Sequence, residues 1–213
     1  SRQSRGLGDV YKRQVLYSST HLDPNSKKLQ FSEYKKRSSG KARKYSWDYD
    51  NNYDIFSKSL SSGKVTRLTS SDGYDAEASF SPLGDKILFS SNREAYSKPL
   101  NPEQNSVLQR DPAVFNDLYI MNSDGSNTVR LTDTLGYDGG PFFNSTGDTI
   151  CWRRFSSDGH NAEIYTMNLA KRTENRLTSL QVMSWAPYFH PSNKYIIFST
   201  NIHGFNNFEL YLV

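Results

Sequence analysis

Cysteine is nearly absent from this chain. Its 213 residues include one, Cys151, which excludes a disulfide framework and any Cys-based zinc site. Long apolar runs are missing as well. None approaches the roughly 18 residues that a membrane helix needs, and no hydrophobic signal-peptide core appears, so membrane insertion is not expected. No segment carries a sustained 3.6-residue apolar stripe of helical length, which argues against a helical architecture. Chemistry-bearing motifs are also scarce. There is no Gly-x-Ser-x-Gly elbow, no glycine loop to cradle phosphate and no oxygen-ligand series of a calcium site. His21, His160, His190 and His203 lack zincin spacing, so no metal or other cofactor is expected. Cys151 stands beside Trp152 in an apolar run and reads as a buried, inert thiol.

What the chain does have is aromatic mass. Hydrophobic residues make up only 35%, yet 12 Phe, 14 Tyr and 3 Trp are among them, which does not read as intrinsic disorder. The net charge is +4, and the pI near 9.0 invites a nucleic-acid reading. The location of the charge removes its main support. Residues 1–14 carry +3, residues 22–52 carry +4, and the remainder carries −3. Residues 4–14 match the in-frame translation of a transposase adapter used in sequencing libraries, so 1–14 are set aside as non-native. The stretch Lys27-Lys28, Lys35-Lys36-Arg37, Lys41, Arg43-Lys44, with Tyr34, Tyr45 and Trp47 between, has the makings of a single-strand grip. A solvated, partly disordered loop is the preferred reading, and no nucleic-acid partner is expected.

Four short segments begin with an acid: Asp54-Ile55-Phe56, Asp117-Leu118-Tyr119, Glu163-Ile164-Tyr165 and Glu209-Leu210-Tyr211. Thirteen residues after each of the first three comes Arg-Leu-Thr, at Arg67, Arg130 and Arg176. Thirteen further on stands Phe80, Phe143 or Phe189 before a turn, and seven beyond that an apolar strand opens at Ile87, Ile150 or Ile196. Fixed spacing in three copies means a repeated structural unit. Each unit reads as four strands, with Ser123-Asp124-Gly125-Ser126 and Ser81-Pro82-Leu83-Gly84-Asp85 as hairpin turns. Units of about 40 to 45 residues with four strands have the period of a propeller blade. The expected fold is all-β: a partial β-propeller of four-stranded antiparallel blades, about three blade equivalents, covering 15–213 and cut at both ends. The repeated arginines point to a structural partner on an outer strand.

The acidic-start strand, Arg-Leu-Thr, Phe-Ser-Pro-x-Gly-Asp-Lys and Ile-Leu-Phe together resemble the TolB-like, WD40-like (PD40-type) propeller repeat. Residues 53–213 carry the resemblance, with departures at Asn144-Ser145-Thr146 and at Ser192-Asn193. It implies an extracytoplasmic bacterial setting, periplasmic or secreted, and a protein or peptide partner. Gly136-Tyr137-Asp138-Gly139-Gly140 also looks like propellers that gate substrates for a larger hydrolase, a peptidase, whose catalytic domain would lie beyond this piece. A sugar-cleaving propeller is a third possibility; it needs channel-facing histidines and a metal. The resemblance implies no enzyme activity for this piece.

The spacing between the Ile strand and the next acidic-start strand is 13 residues in two copies, but 30 after Ile87 and 39 after Val15. Insertions at about 22–52 and 94–113 therefore fall in one loop class. With strands A to D counted outward from the axis, these B–C loops share a face with the D–A links between blades. Those links hold Tyr74, Asp75, Glu77, Tyr137, Asp138 and Trp185, which are the candidate partner-binding residues at the channel mouth. Short acids in such links also brace neighbouring groups, and aromatics also plug seams, so both roles stay open for these residues.

Overall fold

The computed structural model describes residues 13–40 and 49–213. Four antiparallel sheets follow one another along the chain. Blade one holds β1 (Gln14–Ser19), β2 (Asp54–Ser59) and β3 (Val65–Arg67). Blade two holds β4 (Asp75–Phe80), β5 (Lys86–Ser91), β6 (Asp117–Asn122) and β7 (Val129–Arg130). Blade three holds β8 (Asp138–Phe143), β9 (Thr149–Phe155), β10 (Ala162–Asn168) and β11 (Thr173–Arg176). Blade four holds β12 (Ser184–Phe189), β13 (Ile196–Thr200) and β14 (Glu209–Leu212). In each sheet neighbouring strands are consecutive in sequence, the meander expected of a blade. The innermost strands β4, β8 and β12 pack against one another in turn.

Strand alternation explains why both faces of each blade are apolar. Ile87 and Phe89 of β5 enter a cluster with Ile55 and Leu68 of blade one, while Leu88 between them joins Ile150, Trp152 and Met167 of blade three. Cys151 points the other way from its neighbours, into a cluster with Ile196 and Phe198 of blade four. Successive residues thus glue successive blades, each fully buried side chain contributing about 1.5–3 kcal/mol. Cys151 is fully buried, and burial lifts its thiol to about 12.

The Arg-Leu-Thr motif has a structural cause. Arg67, Arg130 and Arg176 form ion pairs with Asp54, Asp117 and Glu163 at 2.5, 2.6 and 2.9 Å. Two residues on, Thr69, Thr132 and Thr178 each accept a hydrogen bond from the backbone N–H after that acid, all at 2.9 Å. The intervening leucine N–H donates to the same strand's carbonyl. One triplet therefore pins the outer strand to its neighbour at three points. The divergent turns keep their geometry too. Asn193, at φ 58°, takes the left-handed position that Gly84 and Gly147 fill elsewhere, as asparagine tolerates.

Two expectations need correction. Both insertions contain helix: α1 (Ser26–Ser38) in the first, then α2 (Glu94–Ser97), α3 (Pro102–Arg110) and a 3₁₀ turn (Pro112–Phe115) in the second. α1 buries none of its residues, so no apolar stripe announces it, and its basic side chains lie on an ordered element. α3 is set by a capping box between Asn101 and Gln104 with Pro102 at its first position. Residues 1–12, which include most of the adapter match, and Lys41, Arg43, Lys44, Tyr45 and Trp47 of the basic stretch, lie outside the described residues. Among the described residues no helix is long and apolar enough to cross a membrane.

Candidate functional site

The residues expected in the D–A links sit mostly at the heads of the inner strands. Asp75 and Glu77 belong to β4, Asp138 to β8 and Trp185 to β12, while Tyr74 and Tyr137 immediately precede their strands. In all three strands the pairing to the next strand slips after the second residue. The third residue is left-handed each time: Glu77 (φ 56°), Gly140 (φ 60°) and Ala186 (φ 50°). These are β-bulges, which re-aim the top of each inner strand.

Asp75 and Asp138 do not face open space. Both are fully buried. Arg93 grips Asp75 with Nη2–Oδ2 at 2.7 Å, and Arg154 grips Asp138 through Nε and Nη2 at 2.6 and 2.7 Å. Trp152 Nε1 donates to Asp138 at 3.0 Å, and Arg154 also reaches Glu174 at 2.7 Å. Burial raises both carboxyls, opposed by these arginines and by the hydroxyls of Thr69 and Thr132 on the preceding blades. The two acids act as rivets between blades.

The other four residues meet around Arg153. Glu77 reaches from blade two to accept Arg153 Nη2 at 2.7 Å on one oxygen and the Gly140 N–H at 2.7 Å on the other. The Arg153 guanidinium lies 5.1 Å from the Tyr137 ring and 4.7 Å from the Trp185 ring, with Tyr137 Oη at 3.3 Å. Tyr74 stands behind, its ring 5.0 Å from that of Tyr49, which lies 6.1 Å from Tyr137. Phe155 completes the group, stacked on Tyr137 at 5.6 Å and edge-on to Trp185 at 5.4 Å. Burial opposes the charge on Arg153, but Glu77 outweighs it and keeps the guanidinium firmly protonated. Burial pushes the Tyr137 hydroxyl well above its ordinary range, so it stays neutral where it accepts from Arg153.

Tyr49, Tyr137, Arg153, Phe155 and Trp185 of this group line a pocket of about 230 Å³, while Tyr74 and Glu77 stand outside its walls. Its walls are Tyr49 from the first insertion, Asp111, Ala113 and Val114 from the end of the second, Tyr137, Arg153 and Phe155 from blade three, and Trp185 from blade four. Insertions and blade mouths converge on one rim. A second, broader cleft of about 1040 Å³ lies between α1 and the edge of blade one, lined among others by His21, Lys27, Lys36 and Tyr53. His160 and His203 do not join either site. Each is exposed beside an acid of its own loop, Asp158 at 3.3 Å and Glu209 at 3.9 Å.

Arg153 and Phe155 escaped the motif reading, although a signal was present. The strand-B residue that pairs with the acidic start is Ser19, Ser91, Arg154 or Thr200 in the four blades. Aligned on it, the triplets are Ser18-Ser19-Thr20, Ser90-Ser91-Asn92, Arg153-Arg154-Phe155 and Ser199-Thr200-Asn201. Asn92 and Asn201 cap the N–H of Tyr74 and Met183 at 2.7 and 2.9 Å. Blade three alone replaces small polar groups with two arginines and a ring.

Four meandering sheets packed through their inner strands make this a β-propeller. No family model matches the chain. TolB of Acinetobacter baumannii is similar over 76% of this chain and 35% of its own, with TM-score 0.59 and 18% identity. Hydrazine synthase of Kuenenia stuttgartiensis matches 88% of this chain and 28% of its own (TM-score 0.53, 13% identity). An oligogalacturonate lyase in complex with manganese matches 74% and 40% (TM-score 0.50, 16% identity). These likenesses establish the fold. An uncharacterized protein of Agrobacterium fabrum is 27% identical over 119 residues, 56% of this chain. The chain spans about a third of that curated relative's length.

Proposed function

We propose that this propeller is a recognition module that takes a protein or peptide segment at the rim where its insertions and inner strands meet, in an extracytoplasmic setting. The observation that carries this reading is the pocket itself, built by two insertions and two blades around four aromatic rings and one buried arginine. A rim assembled from loops over a rigid scaffold is where propellers and other β-folds place recognition. The described positive surface charge of the first insertion lies on α1, which does not line this pocket, so nucleic acid is not the favoured partner. The test is selection of peptides from a random displayed library on the full chain, followed by binding to Trp185→Ala. Enriched peptides that lose at least about tenfold in affinity support the reading. A library that yields no binder overturns it.

A further inference from the structure

We infer that the pocket is a receptor for one uncharged apolar side chain, aromatic or branched aliphatic, presented by a peptide whose carbonyl satisfies Arg153. This rests on the recognition reading above and specifies its ligand. Four observations converge. The volume, about 230 Å³, is below the roughly 300–1,000 Å³ of sites for whole small molecules, and suits a single side chain. The lining is aromatic: Tyr49, Tyr137, Phe155 and Trp185, with Phe155 and Trp185 edge to face. Arg153 is 4% exposed, and its Nε–H has no acceptor among the described residues. A buried donor left unpaired is costly, and an acceptor supplied by a ligand removes that cost. Finally, the residues responsible are those that break the blade template, Ser-Ser-Asn in blade two and Arg-Arg-Phe in blade three.

Charge decides between ligand classes. Glu77 already neutralises Arg153 at 2.7 Å, and Asp111 lines the pocket with one oxygen accepting from the Ala113 N–H at 3.1 Å. A ligand carboxylate would meet the Asp111 carboxylate and an arginine that is already paired. An ammonium would lose its hydration beside a guanidinium. A neutral peptide carbonyl fits the remaining donor, and an apolar side chain fits the rings.

The probes are the N-acetyl amides of phenylalanine, leucine, glutamate and lysine, titrated into the full chain by NMR or calorimetry. Phenylalanine and leucine amides should bind at least about tenfold more tightly than the charged pair, a difference of about 1.4 kcal/mol. Phe155→Asn, which writes in the residue of blades two and four, should abolish that binding while circular dichroism stays unchanged. Trp185→Leu is the second variant should Phe155→Asn misfold. Equal or tighter binding of the charged probes, or apolar binding indifferent to both variants, overturns the inference. Library peptides that bind Phe155→Asn as well as the parent chain also overturn it, while leaving rim recognition standing. Failure of every probe and every library peptide overturns both.

Discussion

Blades two and three follow one plan except at the end of their second strand. They share an acid–Arg outer pair, a threonine cap, a bulge on the inner strand and an Asp–Arg rivet, although the rivet arginine follows β5 in blade two (Arg93) and lies within β9 in blade three (Arg154). Each rivet arginine even lies over a stacked aromatic pair, Arg93 over Phe89 and Tyr119, Arg154 over Trp152 and Tyr165. At the end of its second strand blade two carries small polar groups that tie backbone to backbone. Ser90 donates to the Asp138 carbonyl at 2.6 Å, and Asn92 caps Tyr74. Blade three instead spends these positions on Arg153 and Phe155, which face the pocket. Shared positions report what a blade needs; the departures report what this rim is for.

The largest way to break the likeness is through the rivets. Asp138→Ala leaves the Trp152 N–H unpaired and Arg154 with Glu174 alone, and should cost about 3–5 kcal/mol in urea unfolding. Asp75→Ala should cost less, because Arg93 is more exposed than Arg154 and has no indole beside it. Equal costs would mean that the two rivets are interchangeable.

Next in size are the threonine caps. Thr132→Val and Thr178→Val each leave a buried strand N–H unpaired, and should lose about 1–3 kcal/mol in either blade. A blade-specific loss would show that the template is not equivalent in the two.

The outer pairs separate the blades by pH. Burial lifts Asp117 to about 7 against the pull of Arg130. In blade three, hydrogen bonds from Thr178 and the Gln181 N–H, with Arg176, outweigh burial and hold Glu163 below its ordinary value. The folded chain therefore holds the Asp117 proton more tightly than the unfolded chain does. Its contribution is fully present below about pH 4 and is lost as the pH rises towards about 7. Glu163 contributes in the opposite sense, losing its part as the pH falls below about 4.5. Urea midpoints from pH 4 to 8 should fall less steeply in Asp117→Asn than in the parent; an unchanged slope refutes the assignment.

The smallest effect belongs to the insertion of blade two. Lys98→Ala removes an exposed pair with Glu94 and should shift stability by less than about 0.5 kcal/mol, within reach of a thermal melt.

The blades were legible because their repeat is enforced by backbone needs. An ion pair, a hydroxyl cap and a turn must fall at set intervals, so spacing alone finds them. That each repeated arginine has a structural partner followed from the same logic, whereas the acid it pairs with came from the fold. The rim was legible in outline, since loop parity puts insertions and blade mouths on one side. Its interior was not. A bracing role for Asp75 and Asp138 was open in the sequence, but only the fold shows that what they brace is an arginine. Glu77 is one of the candidates at the channel mouth, but its arginine lies 76 residues away in the next blade. α1 gave no periodic signal because it buries nothing, whereas the Asn101-Pro102-Glu103-Gln104 start of α3 was there to be read.

The left-handed residue at the third place of each inner strand has a use for protein engineering. One extra residue at this place lets strands A and B pair on both sides of it in all three blades. The mouth can therefore be re-aimed at one backbone position while the ladder on either side is kept. A redesign for new specificity would hold Asp75 and Asp138 fixed and vary the residues around them, one blade at a time.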